Sequence, residues 1–547
     1  MLDGEVTREA IADLLRPTSD DDPAAQTMLA AYDRWLAADG NAPERAIVDL
    51  LGLFDRPADA ASVEALRRAP AIPNLTDNLV KLAEGRWLRA LRRLERIGLL
   101  LPTADGSLDA HPLVRTHAAA RLESTRPAVW RAGNVRLYKH LTQTAEHRPN
   151  TVEGLMPLYQ AVVHGCRAGR VQDAYDAVYR ERIHRGGEVY SIHKLGLFGS
   201  ELTVMSAFFE VPFARVHPSL RRLARADLMN DVGFVLRALG RLDESEAPMR
   251  ASLEQSVEAE NWTAAARSAG NLCILHVTLG ALDQALADAK RSVVLADRSG
   301  ATFERTTGRT GLANAHHQRG EMTSALALFE DAEAMQAERE PSTLPLYSLQ
   351  GYWYCDLLLA DGDVSSARAV IERAEYALEV STRNSWALAI GLDNLSLARA
   401  WTILAHRNIA ESPDASQQAQ TYLDRAVEGL RTAGHDWILP HGLLARATFS
   451  RLVDRDASAA DADLQEVEDL ADRSGMRLFA CDAHLERARL LRDLSTANDA
   501  RDRARTHVAA AKKLIEETGY HRRDRELANL EAWLDENEPP HDLGAWS

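Results

Sequence analysis

One helical hairpin is written four times in succession between Asp227 and Ser381, and this repetition constrains the fold more than any other feature of the 547 residues. The small residues Ser245, Ala285, Ala325 and Ala367 each lie five positions after a glycine (Gly240, Gly280, Gly320, Gly362). An apolar residue and then another small one follow at helical spacing, as in Ala325, Phe329, Ala332 and in Ala367, Ile371, Ala374. Glycine permits the tight turn, and a small residue early in the second helix lets two antiparallel backbones approach. Such a hairpin cannot bury its apolar face alone, so copies must stack. Register counting extends the series to Ala419, Ala460 and Ala504, each followed fifteen residues later by a glycine (Gly434, Gly475, Gly519), as Ala285 is by Gly300. Glycine after the last turn is the expected left-handed stop. Successive anchors are 40, 40, 42, 52, 41 and 44 residues apart, the 52 reflecting a polar insertion near His406 to Ser416 that lengthens one turn.

The composition agrees with an all-α chain. Aromatic residues are 6%, and strand-like alternation is scarce beside long stretches of Ala, Leu, Glu and Arg. With 46% apolar residues the chain can bury a sizeable core in two or three domains. Its net charge of −16 disfavours nucleic acid or an anionic membrane as the main partner. No apolar run approaches the ~18 residues needed to span a bilayer, and the start Met-Leu-Asp-Gly-Glu lacks a signal-peptide core, so the expectation is a cytoplasmic protein without membrane contact. Cys166, Cys273, Cys355 and Cys481 are far apart and form no C-x-x-C, which suggests neither a disulfide framework nor a zinc knuckle. Cys273 and Cys355 fall at small, helix-facing positions and read as buried spacers. His316 and His317 point to different faces of a helix with no further ligand at metal spacing. H-E-x-x-H and G-x-S-x-G are absent, and the expectation is no metal, no cofactor and no catalysis.

Five segments follow from a pass along the chain. Residues 1–42 form an N-terminal helical segment, with a short helix around Thr7 to Leu15, an acidic break at Ser19 to Pro23, and an amphipathic helix through Met28, Tyr32 and Trp35. Residues 43–126 carry an apolar helix (Ile47, Leu50, Leu51, Leu53, Phe54), a second around Ser62 to Arg68 and a third from Trp87 to Ile97. Leu99 to Leu101, a turn at Ala104-Asp105-Gly106, and Ser107 to Asp109 complete a three-helix unit with a short hairpin, which reads as a winged helix. Residues 127–224 hold a helix through Trp130 to Gln143 and a degenerate hairpin from Leu158 to Arg182 anchored on Gly169 and Ala174. An irregular helical connector containing Gly186-Gly187 and Pro212 ends that segment. The array occupies 225–520, and 521–547 is a capping helix (His521 to Asp535) with a frayed tail.

A period near 40 also suits HEAT or armadillo repeats, but the anchor pattern resembles tetratricopeptide (TPR) repeats of the long-helix variety, and implies a right-handed α-α superhelix. Residues 43–126 resemble the winged-helix unit of STAND signalling ATPases of the NB-ARC and NACHT type. The resemblance rests on Leu50-Leu51-Gly52-Leu53-Phe54-Asp55-Arg56-Pro57, on Trp87 to Leu101, and on the His-centred Leu108-Asp109-Ala110-His111-Pro112-Leu113-Val114-Arg115. In bacterial members this unit precedes a TPR array, the order found here, and Lys194 to Gly199 through Phe208-Phe209 resembles their connector. The chain departs from that family in lacking any G-x-x-x-x-G-K-[S/T] phosphate loop, so it is not expected to hydrolyse ATP alone. The resemblance implies nucleotide sensing for His111, in trans with a P-loop ATPase domain; beside Pro112 the same residue reads as a helix start. The chain is then the C-terminal part of a split or truncated STAND protein, or a descendant that kept the sensing arm.

In stacked hairpins of this kind the first helices line the concave surface, which places the ligand contacts there. Polar-apolar-small triplets recur in them: Asp231-Val232-Gly233, Asn271-Leu272-Cys273 and Asn394-Leu395-Ser396. In related long-helix TPR proteins an asparagine at this place hydrogen-bonds the backbone of a bound peptide, which the resemblance carries to Asn271 and Asn394, with Asn230 one position earlier. A carboxamide both donates and accepts, so it suits a peptide backbone, and equally an Asn-to-carbonyl bond that tightens repeat packing. By register Arg237, Arg267, Asn314, His317, Tyr352 and Asp356 are further groove residues, each also readable as a solvated surface side chain. The expected function is a non-catalytic protein- or peptide-binding module, the sensor or regulatory arm of a STAND-type system. The alternative is a transcription regulator that reads DNA through Arg89, Arg92, Arg93 and Arg96, since Lys81 to Arg126 carries nine basic against five acidic residues.

Overall fold

The computed structural model describes residues 23–38, 40–103, 106–339, 345–408, 412 and 414–535. The expected helix around Thr7 to Leu15, the turn residues Ala104 and Asp105, residues 409–411 and 413 of the insertion after His406, and the tail from Glu536 lie outside the described residues. The chain divides into two compact units, Met1–Gly187 and Glu188–Ser547.

In the first unit, helices Pro23–Ala37, Ala42–Leu51, Ala60–Arg67, Asp77–Val80 and Glu84–Arg96 enclose a core in which Ile47, Leu50, Leu51, Leu53, Leu66 and Leu94 are fully buried. Asp59 starts the third of these by accepting from Ser62 N at 2.8 Å, the usual way to satisfy a free first-turn amide. Two isolated bridges, Leu101 to Asp109 and Ala58 to Leu108, pair the short extended stretches that flank Gly106 with each other and with the segment before Asp59. The helix Pro112–Thr125 is tied to the core by Asp49, which takes Arg121 at 2.6 Å and Arg126 at 2.5 Å. Gly133 lets the next helix, Pro127–Thr144, lie on Leu53, where a Cβ would stand 2.7 Å from Leu53 Cδ1.

The unit ends in a hairpin of Val152–Arg167 and the helical stretch after Gly169, whose φ is +75°. A Cβ on Gly165 would meet the Ala174 Cβ at 2.7 Å, so the small residues form the contact between the two helices. From Ala174 to His184 the backbone widens into a π-helix, which the spacing of residues did not announce. Arg182 donates to the carbonyls of Thr142, Ala145, Glu146 and His147, taking up orphan acceptors at the end of an earlier helix.

The second unit begins with helices Tyr190–His193 and Phe198–Ser206. Where helical connector was expected, Phe209–Val211 pairs antiparallel with Arg215–Val216. Pro212 cannot donate to a helix ladder, β-forming Phe209, Val211 and Val216 flank the turn, and Glu210 meets Arg215 across it at 2.8 Å.

Seven hairpins then stack into an all-α solenoid. Their first helices are Arg222–Ala238, Trp262–Leu279, Thr302–Gln318, Ser348–Leu358, Ala387–His406, Leu439–Phe449 and Arg477–Leu494. The second helices are Leu242–Glu258, Leu282–Ser299, Met322–Arg339, Val364–Arg383, Ala415–Thr432, Ala457–Ser474 and Ala500–Thr518. All seven anchors, from Ser245 to Ala504, are at most 1% exposed. The seams are close: in the first hairpin a Cβ on Gly233 would stand 3.0 Å from Ser245 O, and in the fifth one on Gly429 would approach Gly391 Cα to 3.3 Å.

The stack also comes round to meet itself. Asp436 N donates to Ala238 O at 2.8 Å, joining the first hairpin's turn to the segment after the fifth hairpin. A Cβ on Gly280 would stand 3.0 Å from both Arg477 and Thr518, and one on Gly320 would stand 3.0 Å from the backbone of His521. Turns of the first three hairpins therefore rest on chain lying about 200 residues later. The closing helix Asp524–Asp535 buries Leu527, Leu530 and Leu534 on the seventh hairpin.

Candidate functional site

Because the second unit closes on itself, the first helices face an enclosed interior, and their polar side chains must find partners there or remain costly. Most find them. Asp356, from the fourth hairpin, takes Arg522 through both oxygens (2.6 and 2.9 Å) and Arg399 at 2.8 Å. Burial pushes the Asp356 carboxyl up, and the guanidiniums of Arg522 and Arg399 outweigh it, holding the group well below the usual carboxylate range. Glu486 is the second centre: Arg451, fully buried, reaches it at 2.6 Å and Arg489 at 3.1 Å. Asp482 accepts from Arg523 at 2.7 Å and from the Tyr520 hydroxyl at 3.1 Å. Thus the short segment Tyr520 to Arg523, after the last repeat, is anchored to the first helices of the fourth and seventh hairpins.

Beside these ion pairs lies a pocket with about 880 Å³ of atom-free space, counting its open mouth. Its walls mix the charged groups above, Arg451 excepted, with Trp353, Trp437, His441, Leu444, Leu478 and Phe479. His441 sits edge-on between Tyr352 (5.3 Å) and Phe479 (4.6 Å), and burial lowers its pKa to about 4, so it is a neutral imidazole at pH 7. A second pocket, of about 580 Å³, shares Ile274 and Trp353 with the first. It runs along Gly270, Gly308 and Gly311, with Arg267 and Glu304 paired at 3.3 Å beside it.

The groove residues expected from register divide between these places. Asn314, Tyr352 and Asp356 line the first pocket, and Arg267 and Asn271 line the second. Asn230, Arg237, His317 and Asn394 line neither. Asn230 Oδ1 accepts from Asn271 Nδ2 at 3.0 Å, linking two first helices, and Asn394 Nδ2 donates to its own helix at Ile390 O, 2.7 Å. Arg237 donates to Asn271 O at 3.2 Å under the Trp437 ring, and burial lowers its pKa to about 10. His317 is 0% exposed, with Nδ1 3.7 Å from Asp356, and burial keeps it neutral. In the first unit His111 caps the helix Pro112–Thr125, its Nδ1 accepting from Leu113 N at 3.3 Å. Among Arg89, Arg92, Arg93 and Arg96, Arg93 is engaged by Glu44 at 3.3 Å and by the Trp35 ring, while the other three are exposed.

Sequence reasoning did not single out Arg399, Arg451, Arg489, Arg522, Asp482 or Glu486. One signal was present: Arg399 and Asp356 each stand between apolar or small residues on a first helix (Ala398 and Ala400, Cys355 and Leu357), an unusual place for a charge. The cap residues Arg522 and Arg523 gave no such signal, because they sit in a run of polar residues. Among the described residues no cluster of His, Cys, Asp and Glu could hold a metal ion. Among the described residues no helix is long and apolar enough to cross a membrane.

No protein family and no curated protein matches the sequence. Among solved structures the chain is similar to a signal transduction ATPase with numerous domains (STAND) protein with a tetratricopeptide repeat sensor from Pyrococcus horikoshii. That match has a TM-score of 0.33 and 11% identity, covering 95% of this chain and 68% of the other. It is also similar to a Rap protein complexed with Competence and Sporulation Factor, with a TM-score of 0.31 and 11% identity, covering 83% of this chain and 98% of the other. At such values the fold and the site stand on this chain's own geometry.

Proposed function

We propose that the chain is a non-catalytic peptide- or protein-binding module whose ligand enters the interior of the second unit. The observation that carries this reading is the pair of neighbouring pockets on the first helices, about 880 and 580 Å³, which share Ile274 and Trp353 as lining residues. Concave sites with apolar walls and a few convergent polar groups are where ligands bind. Two such spaces in a row suit an extended segment of several residues better than one compact metabolite. The sensor arm of a STAND-type signalling system, acting with a P-loop ATPase domain in trans in the cytoplasm, is the wider role we assign. Its support is the order of segments in the sequence, a winged-helix-like unit followed by a helical-hairpin array.

Phage-displayed random heptapeptides selected on the full chain test the reading. The expected result is a recurring sequence whose binding falls at least tenfold in Trp353→Ala, since Trp353 borders both pockets. A selection without enrichment, or one indifferent to Trp353, sinks it.

A further inference from the structure

Among the charged and amide side chains of the larger pocket, the hydrogen-bonding capacity still open is of one kind. Every carboxylate on its wall is already satisfied: Asp356 by Arg399 and Arg522, Asp482 by Arg523 and Tyr520, Glu486 by Arg451 and Arg489. The amide oxygens are taken as well, Asn314 Oδ1 by Gln318 Nε2 at 2.9 Å and Gln318 Oε1 by Arg522 at 3.3 Å. Donors, in contrast, remain. A guanidinium carries five N–H groups. Arg399 gives one bond to Asp356 and meets the Tyr352 hydroxyl, and among the described residues it has no other acceptor. Its side chain keeps 12% of its surface exposed on the pocket wall. Asn314 Nδ2 likewise has no acceptor among the described residues.

An incoming cation meets neutral acceptors such as the His441 imidazole, but to reach a carboxylate it would have to break a buried ion pair, which leaves a guanidinium unpaired inside the protein. An incoming anionic oxygen group meets a guanidinium fork with spare donors, the geometry that suits a carboxylate. We propose that the pocket selects a ligand carrying a carboxylate, which seats on Arg399 while an apolar portion packs against Trp353, Leu444 and Phe479. This rests on the peptide-binding reading and narrows it. The carboxylate belongs either to a chain terminus or to an acidic side chain, and both present the same chemistry to Arg399.

The test uses three pools of fluorescent, N-capped pentapeptides, apolar except for a central Glu, Gln or Lys. Each pool is made as the free acid and as the amide and titrated by anisotropy against the full chain. The expected result is at least tenfold tighter binding of the amidated Glu pool over amidated Gln and Lys, or of every free acid over its amide. The first outcome assigns a side-chain carboxylate and the second a terminal one. That preference should fall at least tenfold in Arg399→Gln and by less in Arg399→Lys, which keeps the charge and loses the fork. Asp356 retains Arg522 in both variants, and circular dichroism reports whether they fold; should Arg399→Gln not fold, Arg399→Lys and the wild-type pool ranking decide. Equal binding of all pools, preference for Lys, or binding unaffected at Arg399 overturns the inference and leaves the peptide-binding reading standing. No binding by any pool overturns both.

Discussion

The seam inside each hairpin and the face the hairpins turn inward are built on opposite principles. At the seam, the anchors from Ser245 to Ala504 are nearly featureless side chains, at most 1% exposed, and they work by being small enough for two helices to close. On the inner face, Asp356, Glu486 and Arg451 are buried charges and Arg399 a partly buried one, held by partners up to 166 residues away. The seam repeats with the chain's own period, so each copy reinforces the others. The inner face does not repeat, because each ion pair joins a particular hairpin to another particular hairpin. Buried ion pairs add little net stability compared with apolar packing, but breaking one is expensive, which makes them suited to fixing which surfaces meet.

That contrast can be broken most severely at the inner face. Asp356→Ala strands Arg522 and Arg399 without their shared partner, and should cost about 3–5 kcal/mol in the urea stability of the second unit. A loss of under about 1 kcal/mol would mean the interior is wetter than the burial of Asp356 indicates. Ala325→Leu attacks the seam instead. Extra methylenes where a side chain is 0% exposed should cost about 1–3 kcal/mol, and by stacking the loss should show as faster hydrogen exchange in the second and fourth hairpins too.

A subtler probe uses two glycines with the same backbone. Gly300 and Gly320 have φ of +68° and +77°, but a Cβ on Gly300 meets nothing within 4 Å, whereas one on Gly320 strikes the backbone of His521. Gly300→Ala should therefore cost only the left-handed penalty, about 1 kcal/mol, and Gly320→Ala distinctly more in thermal unfolding. Equal costs would remove the contact that closes the stack at this turn.

The smallest effect is in pH. Burial lowers the His441 pKa to about 4, below that of an unfolded histidine near 6.5. The unfolded state then binds the extra proton, so this contribution is fully present above about pH 6.5 and is lost as pH falls toward 4. His441→Gln should flatten the stability profile between pH 6 and 5 by about 1 kcal/mol. An unchanged profile would mean that the pocket hydrates the imidazole as fully as bulk water does.

The legible and illegible parts follow from the same contrast. Ala325 and Gly320 are readable because their meaning is local: a turn, a crossing, a helix stop, all within a few residues of one another. The β-hairpin at Phe209–Val211 and Arg215–Val216 was hidden because two short strands are too brief to establish an alternating pattern. The closing contacts at Ala238, Gly280 and Gly320 depend on how far the stack rotates per hairpin, which no residue spacing encodes. Of the pocket, Asn314, Tyr352 and Asp356 came from register alone. Arg399 and Arg522 did not, because a charge in the sequence says nothing about which distant charge it meets.

The most direct trial of an interior closed by specific ion pairs is a double-mutant cycle between Asp356→Ala and Arg522→Ala, read as urea stability of the second unit. Direct pairing across 166 residues predicts a coupling energy of about 2–3 kcal/mol. Additivity within about 0.5 kcal/mol would mean that the two side chains do not meet, and that no ion pair holds the end of the chain to the fourth hairpin.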